Sequence, residues 1–402
     1  MNPDNWFLPL LGLFAMGLLL EVPSLSLISF GMGLLITIAY FWNRRILDQI
    51  TYKRSLHYSK GFPGEKIDVQ VSVKNSKMLP LFWLLVADLW PKAVAPIDSK
   101  KMLESHRPEA GRLANMFRLP AFGKSKLAYE ISLDQRGVYK LGPARLESGD
   151  PFGLYTAKKN VKGEDSITVY PHIKEIPKID YPSASPFGDR RVHRRLFEDP
   201  SLPIGVRDYE NSDEFRRVHW PATARMGKLQ SKVYQPTAER VMTICLNTAT
   251  SERHWEGVYP EILEHLVEMA AAVVYQANRE GFQVGLISNG SMQNSDQPYR
   301  IMPGRSREQL SFLLTALAGV TPLVGIAFPK YLLRELPNLP YGNVVTVITA
   351  VVDDLLLETL IEAKRHGRKV KLISVASAAP PSIAGISNFH LPPLDAAPQL
   401  ND

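Results

Sequence analysis

Uncharged apolar runs and short alternating runs divide this chain into regions before any single residue is considered. Trp6 to Leu20 carries no charge and is mostly Leu, Phe, Gly and Met. Glu21, Pro23 and Ser24 interrupt it, and Leu25 to Trp42 is a second uncharged run. As a helix the second run is ~27 Å long, close to the ~30 Å hydrocarbon core of a bilayer. The first is shorter and must borrow flanking residues or tilt less. The break between them fits a tight helical hairpin. Trp6 at one end, and Tyr40 and Trp42 at the other, stand where interfacial aromatics are expected. The start, Met1-Asn2-Pro3-Asp4, lacks the basic residues of a secretory signal, and no small-residue cleavage site follows.

Beyond residue 50 the period changes to two. Val69, Val71 and Val73 alternate with Gln70, Ser72 and Lys74, which marks a half-buried strand. Leu81 to Leu89, Ala128 to Leu133, Val138 to Leu141 and Ile167 to Tyr170 read as further strands. Residues 95–125 read as irregular. Short strands with Gly and Pro breaks predict an all-β, sandwich-like module over 47–175.

From residue 238 strands and helices alternate. Val241 to Leu246 is a continuous apolar run, the mark of a strand buried on both faces. Ile262, Leu266, Met269, Val273 and Ala277 recur at helical spacing before Gly281. Phe282 to Ile287, Val344 to Ile348 and Val370 to Val375 are strands; Arg307 to Leu317 and Asp354 to His366 are helices. The pattern predicts a doubly wound, mainly parallel sheet over 238–377. An Ala- and Pro-rich tail, 378–402, follows, with a short edge strand within Ile383 to Leu391.

Charge orients the anchor. The net charge is +7, and hydrophobic residues make up 45% of the 402. Arg44, Arg45, Lys53, Arg54 and Lys60 follow the second run, whereas the loop between the runs has no Lys or Arg. The positive-inside rule then puts both termini in the cytoplasm, with two spans of the inner membrane within 1–46. One cysteine, Cys245, excludes an internal disulfide and a cysteine metal cluster.

Candidate chemistry concentrates in 176–237. Arg190, Arg191, Arg194, Arg195, Arg207, Arg216, Arg217 and Arg225 are interleaved with Asp189, Glu198, Asp199, Asp208, Asp213 and Glu214. Nucleic-acid patches cluster cations, so no nucleic-acid partner is expected; mixed signs fit ion pairs in the fold or across a protein interface. Asn211 is placed to cap a helix starting Ser212-Asp213-Glu214, with Pro221 ending or kinking it near Trp220. No metal-ligand spacing reaches His219, and no nucleophile–base pair can be named, so neither catalysis nor a cofactor is expected.

These residues carry a family resemblance. Arg136-Gly137-Val138-Tyr139-Lys140-Leu141-Gly142-Pro143, Ser148-Gly149-Asp150-Pro151-Phe152-Gly153-Leu154 and Val169-Tyr170-Pro171 resemble hallmarks of the domain-of-unknown-function-58 family. So do Arg207-Asp208-Tyr209, Asp213, Arg216-Arg217-Val218-His219-Trp220 and Ala222-Thr223-Ala224-Arg225. Ser212, Glu214 and Pro221 depart from the family's usual Gly, Asp and Lys. The resemblance implies a von Willebrand factor A-like C-terminal domain. It also implies a partner, a MoxR-type AAA+ ATPase, in chaperone-like assembly. Metal-binding members of that fold carry Asp-x-Ser-x-Ser after the first strand; here Asn247-Thr248-Ala249-Thr250-Ser251 stands there, and Thr349-Ala350 stands where Thr-Asp is common. The site at Asn247, Ala249 and Ser251 is therefore read as degenerate, without a bound cation.

The expectation is a membrane-anchored cytoplasmic scaffold or adaptor, homo-oligomeric or not. Its interaction residues are Asp150, Pro151, Phe152, Gly153, Arg207, Asp208, Tyr209, Asp213, Arg216, His219, Trp220 and Arg225. The alternatives are an extracytoplasmic metal-dependent adhesion module and a hydrolase using Asp208, Asp213 and His219.

Overall fold

Two units emerge along the chain, Met1–His172 and Ile173–Asp402. The computed structural model describes residues 7–97, 102–163, 165–177, 179, 198–210, 213–236, 240–253, 257–292, 295–340, 342–376 and 378–391. Trp6, the arginines at 190, 191, 194 and 195, the proposed cap Asn211 with Ser212, and the tail after Leu391 lie outside the described residues.

The first unit opens with helices α1 (Phe7–Leu19) and α2 (Pro23–Arg45). They fold back on each other: Leu10 packs with Ile36 and Ala39, and the Phe14 and Phe30 rings lie 6.2 Å apart. A Cβ on Gly17 would stand 2.8 Å from the backbone nitrogen of Ser26, so close approach of the helices there requires glycine. Pro23 opens α2, where its missing N–H costs nothing. Both helices turn apolar side chains outward, among them Leu8, Leu11, Leu27, Ile28, Phe30 and Phe41. Among the described residues only α2 is long and apolar enough to cross a membrane. The 13 residues of α1 rise ~20 Å, short of a bilayer core. The expected pair of spans thus narrows to one span-length helix with a shorter companion.

Eleven strands follow: β1 (Ile50–Leu56), β2 (Lys60–Gly61), β3 (Lys66–Asn75), β4 (Leu81–Pro91), β5 (Met102–Glu104), β6 (Ala110–Leu119), β7 (Lys124–Ser132), β8 (Gly137–Leu141), β9 (Ala144–Gly149), β10 (Thr156–Val161) and β11 (Asp165–Val169). The sheets run β1-β3-β7, β10-β9-β4-β6-β5 and β2-β11-β8. The first two are antiparallel throughout. Val71 and Val73 of β3 share a core with Leu84 and Val86 of β4, Phe117 of β6 and Leu146 of β9. Alternation on β3 buries its three valines, as its period predicts.

Residues 95–125, read as irregular, hold β5 and the ten-residue β6, which pairs with β4 along most of its length. Its buried positions do alternate, Leu113, Asn115, Phe117, Leu119, but a polar side chain occupies one of them and Met116 points out. Asn115 is tolerated because its Oδ1 accepts from the Tyr129 hydroxyl at 2.5 Å. The turn at Gln135-Arg136-Gly137 does not make a hairpin. β7 pairs with β3 and β8 with β11, so the turn carries the chain between sheets.

A charged cluster lies inside this unit. Asp88 is 1% exposed and accepts from Tyr52 Oη at 2.6 Å, Trp90 Nε1 at 2.8 Å, and Arg54 Nε and Nη2 at 2.7 and 3.1 Å. Arg54 also reaches Asp165 at 2.6 Å, tying β1 to β4 and β11. Burial, then the Asp88 charge beside it, pushes the Tyr52 hydroxyl far above its usual range.

The second unit begins with a long hairpin, β12 (Glu198–Asp208) and β13 (Gln230–Pro236), with helix α3 (Trp220–Met226) between its strands in sequence. The sequence reading assigned no strands here. Next come β14 (Val241–Leu246), α4 (Pro260–Arg279), β15 (Gln283–Met292), β16 (Ser295–Gly304), α5 (Gln309–Ala318), β17 (Val320–Val324), α6 (Phe328–Glu335), β18 (Val344–Thr349), α7 (Asp354–Arg365), β19 (Lys369–Ser374) and β20 (Ser387–His390). The sheet order is β16-β15-β14-β18-β19-β20, with β17 also on β15. β15, β14, β18, β19 and β20 run parallel, while β16 and β17 run against β15. Phe328, Leu332, Leu356 and Leu360 of α6 and α7 pack on Cys245, Ile287, Val347 and Leu372, one face of the sheet. Gly281 and Gly367, at φ +79° and +75°, follow α4 and α7 in the left-handed conformation that ends helices.

Replacing Asp88 by Ala would leave the buried Arg54 guanidinium with Asp165 alone as counter-charge and the Tyr52 and Trp90 donors without their acceptor. We expect a loss of about 3–5 kcal/mol, read from thermal or denaturant unfolding of the purified chain.

Candidate functional site

The carboxyl ends of β14, β15 and β18 open into a cavity of about 610 Å³ lined by Asn247, Ser251, Asn289, Phe328, Asp353 and neighbouring loop residues. Such a crevice is where an open α/β sheet binds ligands. Its floor is a neutral hydrogen-bond network. Asn247 Nδ2 donates to Thr349 Oγ1 at 3.0 Å, and Asn247 Oδ1 accepts from Asn289 Nδ2 and Ala249 N, each at 3.1 Å. Asn289 Oδ1 takes the backbone N–H of Thr248 at 2.9 Å. Thr349 Oγ1 donates to Val351 O at 2.7 Å and accepts from Val351 N at 3.0 Å. The side-chain oxygens of Asn247, Asn289 and Thr349 are engaged in this network, and none of the three is a carboxylate. Asp353, the acidic side chain nearest this floor in sequence, caps α7 by accepting from Leu356 N at 2.8 Å. Among the described residues no group of three His, Cys, Asp or Glu side chains could hold a metal ion. Ser251 Oγ accepts from Arg253 N at 3.2 Å, in a turn. Cys245 is fully buried, and burial alone pushes its thiol up, away from thiolate chemistry.

The Arg/Asp motif folds on the β12–β13 hairpin. Arg207 Nη2 meets Asp213 Oδ1 at 2.6 Å, and Arg207 Nη1 reaches Glu210 at 3.4 Å. Asp213 Oδ2 accepts from Glu210 N at 3.1 Å, and the Tyr209 hydroxyl donates to Asp213 O at 3.0 Å. Partial burial would raise the Asp213 pKa, but the Glu210 N–H and the Arg207 guanidinium hold it below the usual carboxylate range. Asp208 accepts from Gln230 Nε2 at 2.6 Å.

His219 is not at the bend of a helix begun at Ser212. Asp213 and Glu214 are non-helical, Phe215–Arg217 form a single 3-10 turn, and α3 starts after His219. Pro221 opens this helix instead of ending it, because proline has φ preset for a first turn and needs no N–H there. His219 Nδ1 caps it by accepting from Ala222 N at 3.1 Å, and Gly227 at φ +65° closes it. Asp208, Asp213 and His219 are thus each committed to a structural bond. The motif turns charged side chains outward, Arg216 and Arg225 among them, and beside them apolar and aromatic ones. Phe215 and Trp220 are 65% and 57% exposed with rings 5.6 Å apart, edge to face, and Met226 is 64% exposed. Sequence reasoning singled out Trp220 but missed Phe215 and Met226; an aromatic and a thioether spaced about a charged helix were the available signal.

The other motif lies in the first unit. Asp150 is buried and accepts from Phe152 N at 2.8 Å and Tyr155 N at 2.5 Å, closing the turn from β9 to β10. Gly153, at φ +75°, sits in that turn.

A helical hairpin, a strand-rich module and a doubly wound α/β sheet thus form one multidomain chain. Residues 205–380 match the family described as "Protein of unknown function DUF58". Over 304 residues the chain is 22% identical to "Uncharacterized protein YeaD" of Bacillus subtilis (strain 168), covering 73% of this chain and 68% of that one. Among solved structures, the CARDB domain of the PF1109 protein from Pyrococcus furiosus is 10% identical, covering 30% of this chain and 86% of that one, at a TM-score of 0.20. The cohesin module of the Clostridium perfringens family 33 glycoside hydrolase is 9% identical, covering 29% and 96%, at 0.21.

Asn247→Asp would remove the donor to Thr349 and leave a carboxylate in a packed floor. A fall in stability of about 1–3 kcal/mol is expected, read from the melting temperature with and without magnesium.

Proposed function

We propose that the chain is a membrane-anchored scaffold or adaptor that works by docking partners, and that it is not an enzyme. The observation that carries this is the Arg/Asp motif. Arg207 and Asp213 are spent on each other and Asp208 on Gln230, which leaves a surface that carries Phe215, Trp220 and Met226 beside the exposed Arg216 and Arg225. Exposed aromatics and methionine beside arginine are the composition of interface centres. By the family resemblance, the partner is a MoxR-type AAA+ ATPase acting in chaperone-like assembly. The α/β unit is read as von Willebrand factor A-like, with its crevice as a second docking surface. α2 supplies the anchor, with the arginines that end it on the cytoplasmic side. Tethering confines the platform to a thin layer and raises the effective concentration of anything held there.

The adhesion alternative needs a cation at Asn247, whose amide oxygen is taken up by two N–H groups. The hydrolase alternative needs His219 free, and that ring caps α3.

Phe215→Ala with Trp220→Ala should reduce capture of the ATPase by the detergent-solubilised chain at least tenfold, while its melting temperature stays within a few degrees. Unchanged capture, with and without ATP, would sink the docking role of this platform. His219→Ala removes a cap worth about 1 kcal/mol, so α3 should fray and capture weaken without any loss of a turnover.

A further inference from the structure

We infer that the turn between β9 and β10, Asp150-Pro151-Phe152-Gly153-Leu154, is a lipid-facing foot that enters the interfacial layer of an anionic phospholipid bilayer. The inference rests on the reading of α2 as a membrane helix.

The depth follows from what the turn touches. Tyr155, its closing residue, packs with Leu10 of α1 and with Ile36 and Ala39 of α2, and its ring lies 5.9 Å from that of Tyr40. Ile36 and Ala39 precede Trp42 by six and three residues, which is ~9 and ~4.5 Å along the helix axis. Residues 23–42 have the ~30 Å rise that matches a bilayer core. The contact therefore lies inside the level of the interfacial Trp42, and any membrane that accepts α2 must also meet this turn.

The chemistry of the turn suits that position. Phe152 and Leu154 are 56% and 46% exposed, and every exposed side chain from Pro151 to Leu154 is uncharged. The single carboxylate faces inward. It takes the N–H groups of Phe152 and Tyr155, while Gly153 N donates to Asp150 O at 3.2 Å and Pro151 has no N–H to satisfy. The N–H groups of Phe152, Gly153 and Tyr155 are thus met internally, as a poorly hydrated surrounding favours. Cations flank the foot where lipid phosphates would lie: Arg44 and Arg45 end α2, and Lys158 and Lys159 follow on β10. Trp42 stacks on Phe82 at 6.0 Å, so a second exposed aromatic of the module shares that helix end.

The test uses the full chain in vesicles of phosphatidylcholine and phosphatidylglycerol. Cys245 is buried, so Phe152→Cys, Leu154→Cys, Leu34→Cys within α2 and Lys66→Cys on β3 each offer one labelling site for a fluorophore. Brominated lipid should quench the first two about half as strongly as Leu34→Cys and leave Lys66→Cys bright. If Phe152→Cys and Leu154→Cys stay as bright as Lys66→Cys while Leu34→Cys is quenched, the foot is wrong and the anchor stands. If Leu34→Cys is also bright, the anchor reading fails and takes the foot with it. Shielding of Phe152→Cys from aqueous iodide without quenching by lipid would assign the turn to a protein surface and overturn the proposal.

Discussion

A helix of 23 residues with hardly a charge until its last turn has to be kept from water, and the first unit is organised around that requirement. Exposed apolar surface costs about 25 cal/mol per Å², and α2 turns several large side chains outward that nothing in the unit covers. The antiparallel companion α1 covers one stripe. The strand module covers another, through Tyr155 against Ile36 and Ala39 and Phe82 against Trp42. The remainder stays exposed, and on the proposed reading of α2 as an anchor it is the surface that lipid would cover.

Legibility in the sequence followed physical period. Valines at 69, 71 and 73 and the run from Val241 to Leu246 were readable, because burial on one or both faces forces those patterns. β6 was not readable, since a buried Asn115 satisfied by Tyr129 interrupts the apolar count. The β12–β13 hairpin escaped for a different reason: its strands are joined across more than twenty residues of loop and helix, so no short turn signal marks them. The misplaced helix start before Pro221 shows capping logic applied one motif too early. Asp and Glu near a helix start are weak signals, whereas proline in the first turn, preceded by a side chain able to accept from N3, fits where α3 begins.

The candidate sites divide in the same way. Asn247 could be read in the sequence as a poor cation ligand, since the ligand rule is purely chemical. That Asn289 and Thr349 would close the gap with hydrogen bonds required knowing which strand ends meet. Likewise Arg207 and Asp213 were recognisable as motif residues, but their pairing, and Phe215 against Trp220 after the 3-10 turn, came into view only with the fold. In both places polar residues hold the frame; the crevice floor is neutral, whereas the motif sets its aromatics beside exposed arginines.

One small contact has mechanical weight. The Lys77 ammonium, from the loop after β3, donates to the carbonyls of Arg45, Ile46 and Asp48, at and just past the end of α2. Helix and strand module are thereby joined by a clasp instead of a swivel. If the hairpin is anchored in a membrane as proposed, whatever heading it takes as it turns in that plane is passed on to the strand module.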